Sequence, residues 1–233
     1  MDQIPILLLK TKSTPGDSYQ DLLSSSKLSD GSRLSAQFIP VLQHRFDDAG
    51  ISLVRKLLAE KQIGSNKVAK YGGMIFTSQR AVEAFAHVVE QDRPSEDASS
   101  WPNLPQVPVY SVGPAPTRAL SAVAQSPPLQ IFGHHTGNGE ALAHFMLDHY
   151  GQWYSDRTEK PPLLFLVGEQ RRDIIPRTLT DPALSLERRI PVTEEVVYGT
   201  GVMESFSIDF AKALEESKTT KRWVVVFSPT GCD

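Results

Sequence analysis

The sequence predicts an α/β protein built as two similar parallel-sheet halves. Short strand-like runs alternate with amphipathic helical runs along most of the chain, which is the pattern of a parallel sheet flanked by helices. One local design also occurs twice. In YGGMIFTSQRAVEAF, residues 71–85, an apolar run stops at Thr77-Ser78 and opens into a helix, and in WVVVFSPTG, residues 223–231, a second apolar run ends in a similar Phe-Ser-Pro-Thr turn. The length of 233 residues, 40% of them hydrophobic, suffices for two modest cores.

In chain order, strands are expected at residues 6–9, 38–42, 73–76, 107–112, 129–132, 163–167, 195–198 and 223–227, each a short apolar run. Helices are expected at 52–61, 78–91, 117–125, 139–150 and 205–217. In the second of these Val82, Phe85, Ala86 and Val89 recur at helical spacing, and in the last Phe206, Phe210, Ala213 and Leu214 share one face. Residues 92–105, rich in Pro, Ser, Asp and Glu, read as a surface loop, and the polar stretch 24–35 as a mobile segment.

Composition excludes several classes. The formal charge of −3 argues against a general nucleic-acid surface, which needs a basic patch. No run approaches a membrane span, and the opening Met-Asp-Gln-Ile-Pro lacks the basic and apolar regions of a signal peptide, so a soluble, cytoplasmic protein is expected. One cysteine, Cys232, leaves no disulfide framework and no Cys cluster for zinc. His134 and His135 have no further ligands at useful spacing, so no metal is expected. Gly137-Asn-Gly139 starts like a dinucleotide fingerprint but has Leu142 where its last glycine belongs.

Several strand ends carry the makings of an anion site. At Thr77-Ser78 a hydroxyl can cap the following helix, whose free N–H groups and macrodipole favour a carboxylate or phosphate, with Arg80 as a nearby cation. YSVGPAPTRAL, residues 110–120, passes from strand through Gly113 to a helix start with Thr117; Asn138 is an N-cap candidate; and LVGEQRR, residues 166–172, ends a strand with Gly168, Arg171 and Arg172. In open α/β sheets such strand ends gather around the ligand. The plainer reading is a set of helix caps and solvated arginines.

These blocks resemble the uroporphyrinogen-III synthase family, in family order and over nearly the whole chain: FIPVL at 38–42, YGGMIFTSQRAVEA at 71–84, VYSVG at 109–113, GNGEAL at 137–142, PLLFLVG at 162–168 followed by Arg171 and Arg172, and FSPTG at 227–231. The resemblance implies two flavodoxin-like or Rossmann-like domains joined by a two-stranded linker. The first would comprise residues 1–40 and 200–233, the inserted one 46–194, and the linkers 38–45 and 195–200. It implies cyclisation of the linear tetrapyrrole hydroxymethylbilane, an octacarboxylate, to uroporphyrinogen III with loss of water and inversion of the last ring, by a monomer without a cofactor. Tyr198 matches the linker tyrosine the family implicates in hydroxyl departure. Thr77, Ser78, Arg80, Gly113, Thr117, Asn138, Gly168, Arg171 and Arg172, with Ser228 and Thr230 of the first domain, would hold acetate and propionate groups. Two departures stand out: Pro116 occupies the place of a family threonine, with Thr117 one position later, and the family pattern continues beyond Gly231, so the first domain is expected to be C-terminally incomplete with an open sheet edge. The alternative is a noncatalytic two-lobed protein that binds a small anion or a tetrapyrrole.

Overall fold

The computed structural model describes residues 3–13, 17–94, 101–216 and 221–227. Its elements are β1 (Gln3–Leu9), α1 (Ser18–Ser25), β2 (Arg33–Phe38), β3 (Leu42–Phe46), α2 (Asp48–Ala59), β4 (Gly73–Phe76), α3 (Gln79–Gln91), β5 (Pro108–Ser111), α4 (Pro114–Ser121), β6 (Gln130–Phe132), α5 (Gly139–Trp153), β7 (Leu163–Gly168), α6 (Ile174–Leu179), β8 (Val192–Val202), α7 (Phe206–Glu216) and β9 (Trp223–Val226). They fall into two units, Met1–Arg45 with Thr200–Asp233, and Phe46–Gly199.

The first unit holds a parallel sheet in the order β2-β1-β9. β1 is its buried centre, and Leu7, Ile39 and Ala213 form a small core with Phe206, Phe210 and Leu214 of α7 against it. At the end of β1 the Lys10 ammonium pairs with Asp17, whose carboxylate is almost wholly buried and also accepts from the backbone N–H groups of Ser13 and Tyr19, both at 3.0 Å. Rings of Tyr19, Phe38 and Phe227 surround that ammonium. β9 lies at a sheet edge, with Trp223, Val224 and Val226 exposed.

Strands β8-β7-β4-β5-β6, in that order, form the parallel sheet of the second unit, and β3 follows β8 in the strand order. Both faces of the sheet's middle are covered, and alternation assigns the side chains. Met74, Phe76, Leu164, Leu166 and Val109 enter a core with α2, α3 and α4, whereas Ile75, Leu163, Phe165, Val167 and Tyr110 enter a second core with α5 and α6. Each fully buried side chain of this size contributes about 1.5–3 kcal/mol relative to exposure. β3 and β8 run antiparallel: Asp47 N donates to Val197 O at 3.0 Å and Met203 N to Val41 O at 2.8 Å, so partners fall along β8 as the chain rises along β3. The N-terminus of α2 presses on β8 at Gly50, where a Cβ would lie 1.8 Å from Val196 O.

Several expectations shift. Residues 33–38 are a strand, parallel to β1, although the first half of it, 33–35, falls within the stretch read as mobile; an edge strand only half buried tolerates Arg33, Ser35 and Gln37. The run 38–42 is broken around Pro40, which cannot donate to a ladder, and resumes as β3. α4 starts at Pro114, earlier than expected, because Gly113 at φ 75° caps it and proline suits a first helical turn. Within 92–105, Trp101 and Leu104 are buried, and the Trp101 indole donates to Val89 O at 2.8 Å, so the described part of that segment is packed.

Candidate functional site

From β4 the chain winds to β5 and β6, then crosses to β7 on the other flank of β4. A crevice opens beyond the carboxyl ends of the strands where winding reverses. There lies a cleft of about 890 Å³. The turns after β4 and β7, the start of α5 and Tyr198 of β8 form its walls, and Val112, Phe165, Val167, Ile174 and Ile175 give it an apolar lining.

Two helices point their N-termini at it. Ser78 caps α3, its Oγ accepting from Ala81 N at 3.2 Å, and Asn138 caps α5, its Oδ1 accepting from Ala141 N at 2.9 Å. The amides of Gln79, Arg80, Gly139 and Glu140 are then left without an intrahelical acceptor, at the positive ends of helices 13 and 15 residues long. Such amides are the donors a helix N-terminus offers to an anion.

Tyr198 is aimed by an irregularity. Val167 pairs with Val196 but Gly168 pairs with Tyr198, so Val197 is an extra residue on β8. Val197 is therefore buried in the same core that Tyr198 packs on, while Val196 packs on the opposite one. The phenol lies against Gly168, where a Cβ would stand 2.6 Å from Tyr198 Cζ and 2.8 Å from its oxygen. That hydroxyl makes no hydrogen bond to another described residue.

The charges are nearly balanced. Arg171 and Arg172 face Glu140 and Asp173 around the cleft. Arg171 donates through Nε to Glu194 Oε1 at 3.0 Å, through Nη2 to Glu194 Oε2 at 3.4 Å and through Nη1 to Glu169 O at 3.4 Å. Outside the cleft, burial first, then Asp47, raises the Glu195 carboxyl above its ordinary value, with Lys70 opposing. Burial also lowers the His149 imidazole, which packs between Phe132, Phe145 and Trp153, its Nδ1 2.9 Å from the Tyr110 hydroxyl.

Of the residues singled out in the sequence, Thr77, Ser78, Asn138, Gly168, Arg171, Arg172 and Tyr198 line this one cleft. Arg80, Gly113 and Thr117 are not in its lining. Thr117 Oγ1 donates to Gly113 O at 2.7 Å and meets Ser111 Oγ, so its one hydrogen is occupied within α4 and its cap. Ser228 and Thr230 lie outside the described residues. Glu140, Asp173, Ile174 and Ile175 also line the cleft and are not among the sequence candidates; Asp173-Ile-Ile, a polar residue before an apolar pair, is the signal of a helix start. For Glu194, 23 positions from Arg171, no local signal existed.

The cleft thus brings backbone amides, arginines, a phenol without a hydrogen-bond partner among the described residues and an apolar lining together at the carboxyl end of the parallel sheet of an α/β protein. Residues 31–233 match the family described as uroporphyrinogen-III synthase HemD. The chain is 33% identical over 224 residues to the uroporphyrinogen-III synthase of Schizosaccharomyces pombe, covering 96% of this chain and 76% of that protein. It is 32% identical over 235 residues to that of Saccharomyces cerevisiae, covering 98% and 76%. A mutant uroporphyrinogen III synthase from Thermus thermophilus superimposes with a TM-score of 0.47 at 11% identity, covering 96% of this chain and 73% of that one. The chain belongs to the uroporphyrinogen-III synthase family.

Proposed function

We propose that the chain converts hydroxymethylbilane to uroporphyrinogen III in heme biosynthesis, as a cytoplasmic monomer. The observation that supports this most is that four of the six family blocks, at 71–84, 109–113, 137–142 and 162–172, contribute to the lining of one cleft, beside a phenol that has no hydrogen-bond partner among the described residues. In the reaction, the first pyrrole's nitrogen lone pair expels the hydroxyl, which takes a proton and leaves as water. The resulting azafulvenium carbon is attacked by the substituted α-carbon of the last ring, giving a spirocyclic pyrrolenine. Its bond to the neighbouring bridge carbon then breaks, the bridge carbon recloses on the ring's other α-carbon, and loss of that carbon's proton restores the pyrrole. Because pyrrole supplies the electronic push, the protein's part is to fold the chain and hold its carboxylates.

On this reading the amides at Ser78 and Asn138 and the guanidinium of Arg172 hold acetate and propionate groups, Arg171 stands beside it paired with Glu194, and Thr77 adds a hydroxyl. The pyrrole edges lie on Val112, Phe165 and Val167. Tyr198, a phenol with an ordinary pKa near ~10 in free solution, donates to the departing hydroxyl. No cofactor is needed. Family membership favours this reading over a noncatalytic anion-binding protein. Among the described residues no helix is long and apolar enough to cross a membrane.

The test is a coupled assay that supplies hydroxymethylbilane and separates the oxidised uroporphyrin I and III isomers. Excess III over the uncatalysed background is expected. Formation of isomer I alone would refute the proposal. Tyr198→Phe is expected to lower turnover at least about tenfold, the small end of a general-acid contribution; full turnover removes the phenol from the mechanism.

A further inference from the structure

Arg171 and Arg172 are adjacent in sequence and both line the cleft, yet their surroundings differ. Glu194 reaches from β8, beside Phe165 of β7, and takes Arg171 in a two-point clasp; the third contact runs from Arg171 to the carbonyl of Glu169 in its own loop. Glu194 is only 24% exposed and Arg171 37%. A planar guanidinium held on two edges is fixed in direction, and its charge is matched. An incoming carboxylate would have to approach Arg171 beside the carboxylate already there, and like charges repel. Arg172 makes no hydrogen bond or ion pair to another described residue, so its charge is open to a ligand.

We propose that the two arginines divide the work. Arg172 receives a substrate carboxylate, and Arg171 with Glu194 is a positioning pair that pins the loop between β7 and α6, and so sets where Arg172 and the wall of the cleft stand. This rests on the reading of the cleft given under the proposed function. Loosening the loop misplaces bound carboxylates relative to the reacting rings, which lowers turnover, whereas removing Arg172 removes a contact.

The test compares Arg172→Ala, Arg171→Gln, Glu194→Gln and the double variant Arg171→Gln/Glu194→Gln in the full chain. Kinetics use hydroxymethylbilane, and binding uses uroporphyrin III, a stable octacarboxylate, over a salt series. Arg172→Ala is expected to raise KM and the uroporphyrin Kd about tenfold or more and to flatten their salt dependence, as for loss of one charge-assisted contact. Arg171→Gln and Glu194→Gln are each expected to lower kcat more than they raise KM, to leave the uroporphyrin Kd within about threefold, and to be no worse combined than singly. The proposal is overturned if Arg171→Gln weakens uroporphyrin binding as much as Arg172→Ala, or if the Arg171 and Glu194 effects add. Should the unaltered chain make no III isomer, the catalytic reading fails, and the contrast in uroporphyrin Kd still decides the division of labour. A chain that binds no uroporphyrin overturns it as well.

Discussion

Replacing Gly168 by alanine moves the Tyr198 phenol without removing it. A Cβ at 168 would stand 2.6 Å from Cζ and 2.8 Å from both Cε2 and the hydroxyl oxygen of Tyr198, whereas non-bonded carbon contacts are comfortable at roughly 3.5–4.0 Å. The ring must therefore shift by about 1 Å. Backbone conformation adds no strain, since Gly168 is not among the glycines with positive φ. The ring is only partly buried, so overpacking should cost about 1–3 kcal/mol of stability, visible as a modest fall in Tm. A displacement of that size at a reacting group can cost as much as ~10²-fold in rate. Turnover to the III isomer is expected to fall about 10- to 100-fold in Gly168→Ala. In a Tyr198→Phe background, where no hydroxyl is left to misplace, the same alanine should cost less than about threefold. A folded Gly168→Ala protein with full turnover, or an equal loss in both backgrounds, would refute the reasoning.

Other outcomes follow from single contacts. Gly50→Ala would drive a Cβ to 1.8 Å from the backbone oxygen of Val196, so α2 must separate from β8; denaturant unfolding should show a loss of about 3 kcal/mol or more, and an unchanged midpoint would count against the packing described. Asp17 is held well below its usual carboxylate range, first by Lys10 and then by the Ser13 backbone. A depressed acid stabilises the fold above its unfolded pKa, and that stabilisation fades as pH falls through the folded one, so Asp17→Asn should flatten the loss of stability between about pH 5 and pH 2. The same steepness in the variant would assign the loss to other groups. His149 is pushed down by burial, so the unfolded chain takes up its proton first and stability falls as pH drops below ~6.5; His149→Phe should lessen that fall in urea midpoints, and no change would contradict the burial argument.

Local chemistry made part of the cleft legible. The apolar run Gly73–Phe76 followed by Ser78, and the Asn138 cap before a long amphipathic helix, announce both their elements and their free amides, because the cap residue lies next to the helix it caps. Elements that owe their form to distant partners were not legible. β2 is polar and half buried, and becomes a strand by pairing with β1; α1 has no buried residue; α6 has six residues, with Pro176 inside. The same distinction governs the site. The clasp of Arg171 by Glu194, the extra residue Val197 and the seat of the phenol on Gly168 are contacts between strands, set by register and invisible to spacing within one segment. Thr117 shows the converse, a hydroxyl suited to a ligand by type that is taken up by the carbonyl four residues back.

The hydrogen bond from Asp47 to Val197 carries an implication for how such a chain can be assembled. The segment Phe46–Gly199 begins and ends on neighbouring antiparallel strands, and it carries every described residue that lines the cleft. A stretch of polypeptide whose two ends already meet can be spliced into a host strand-to-strand, with little extra chain needed to close the gap. The segment that carries the cleft therefore meets the geometric condition for a single insert. New binding properties can arise by changing residues inside it while the seam at 45–46 and 199–200 keeps the same backbone pairing.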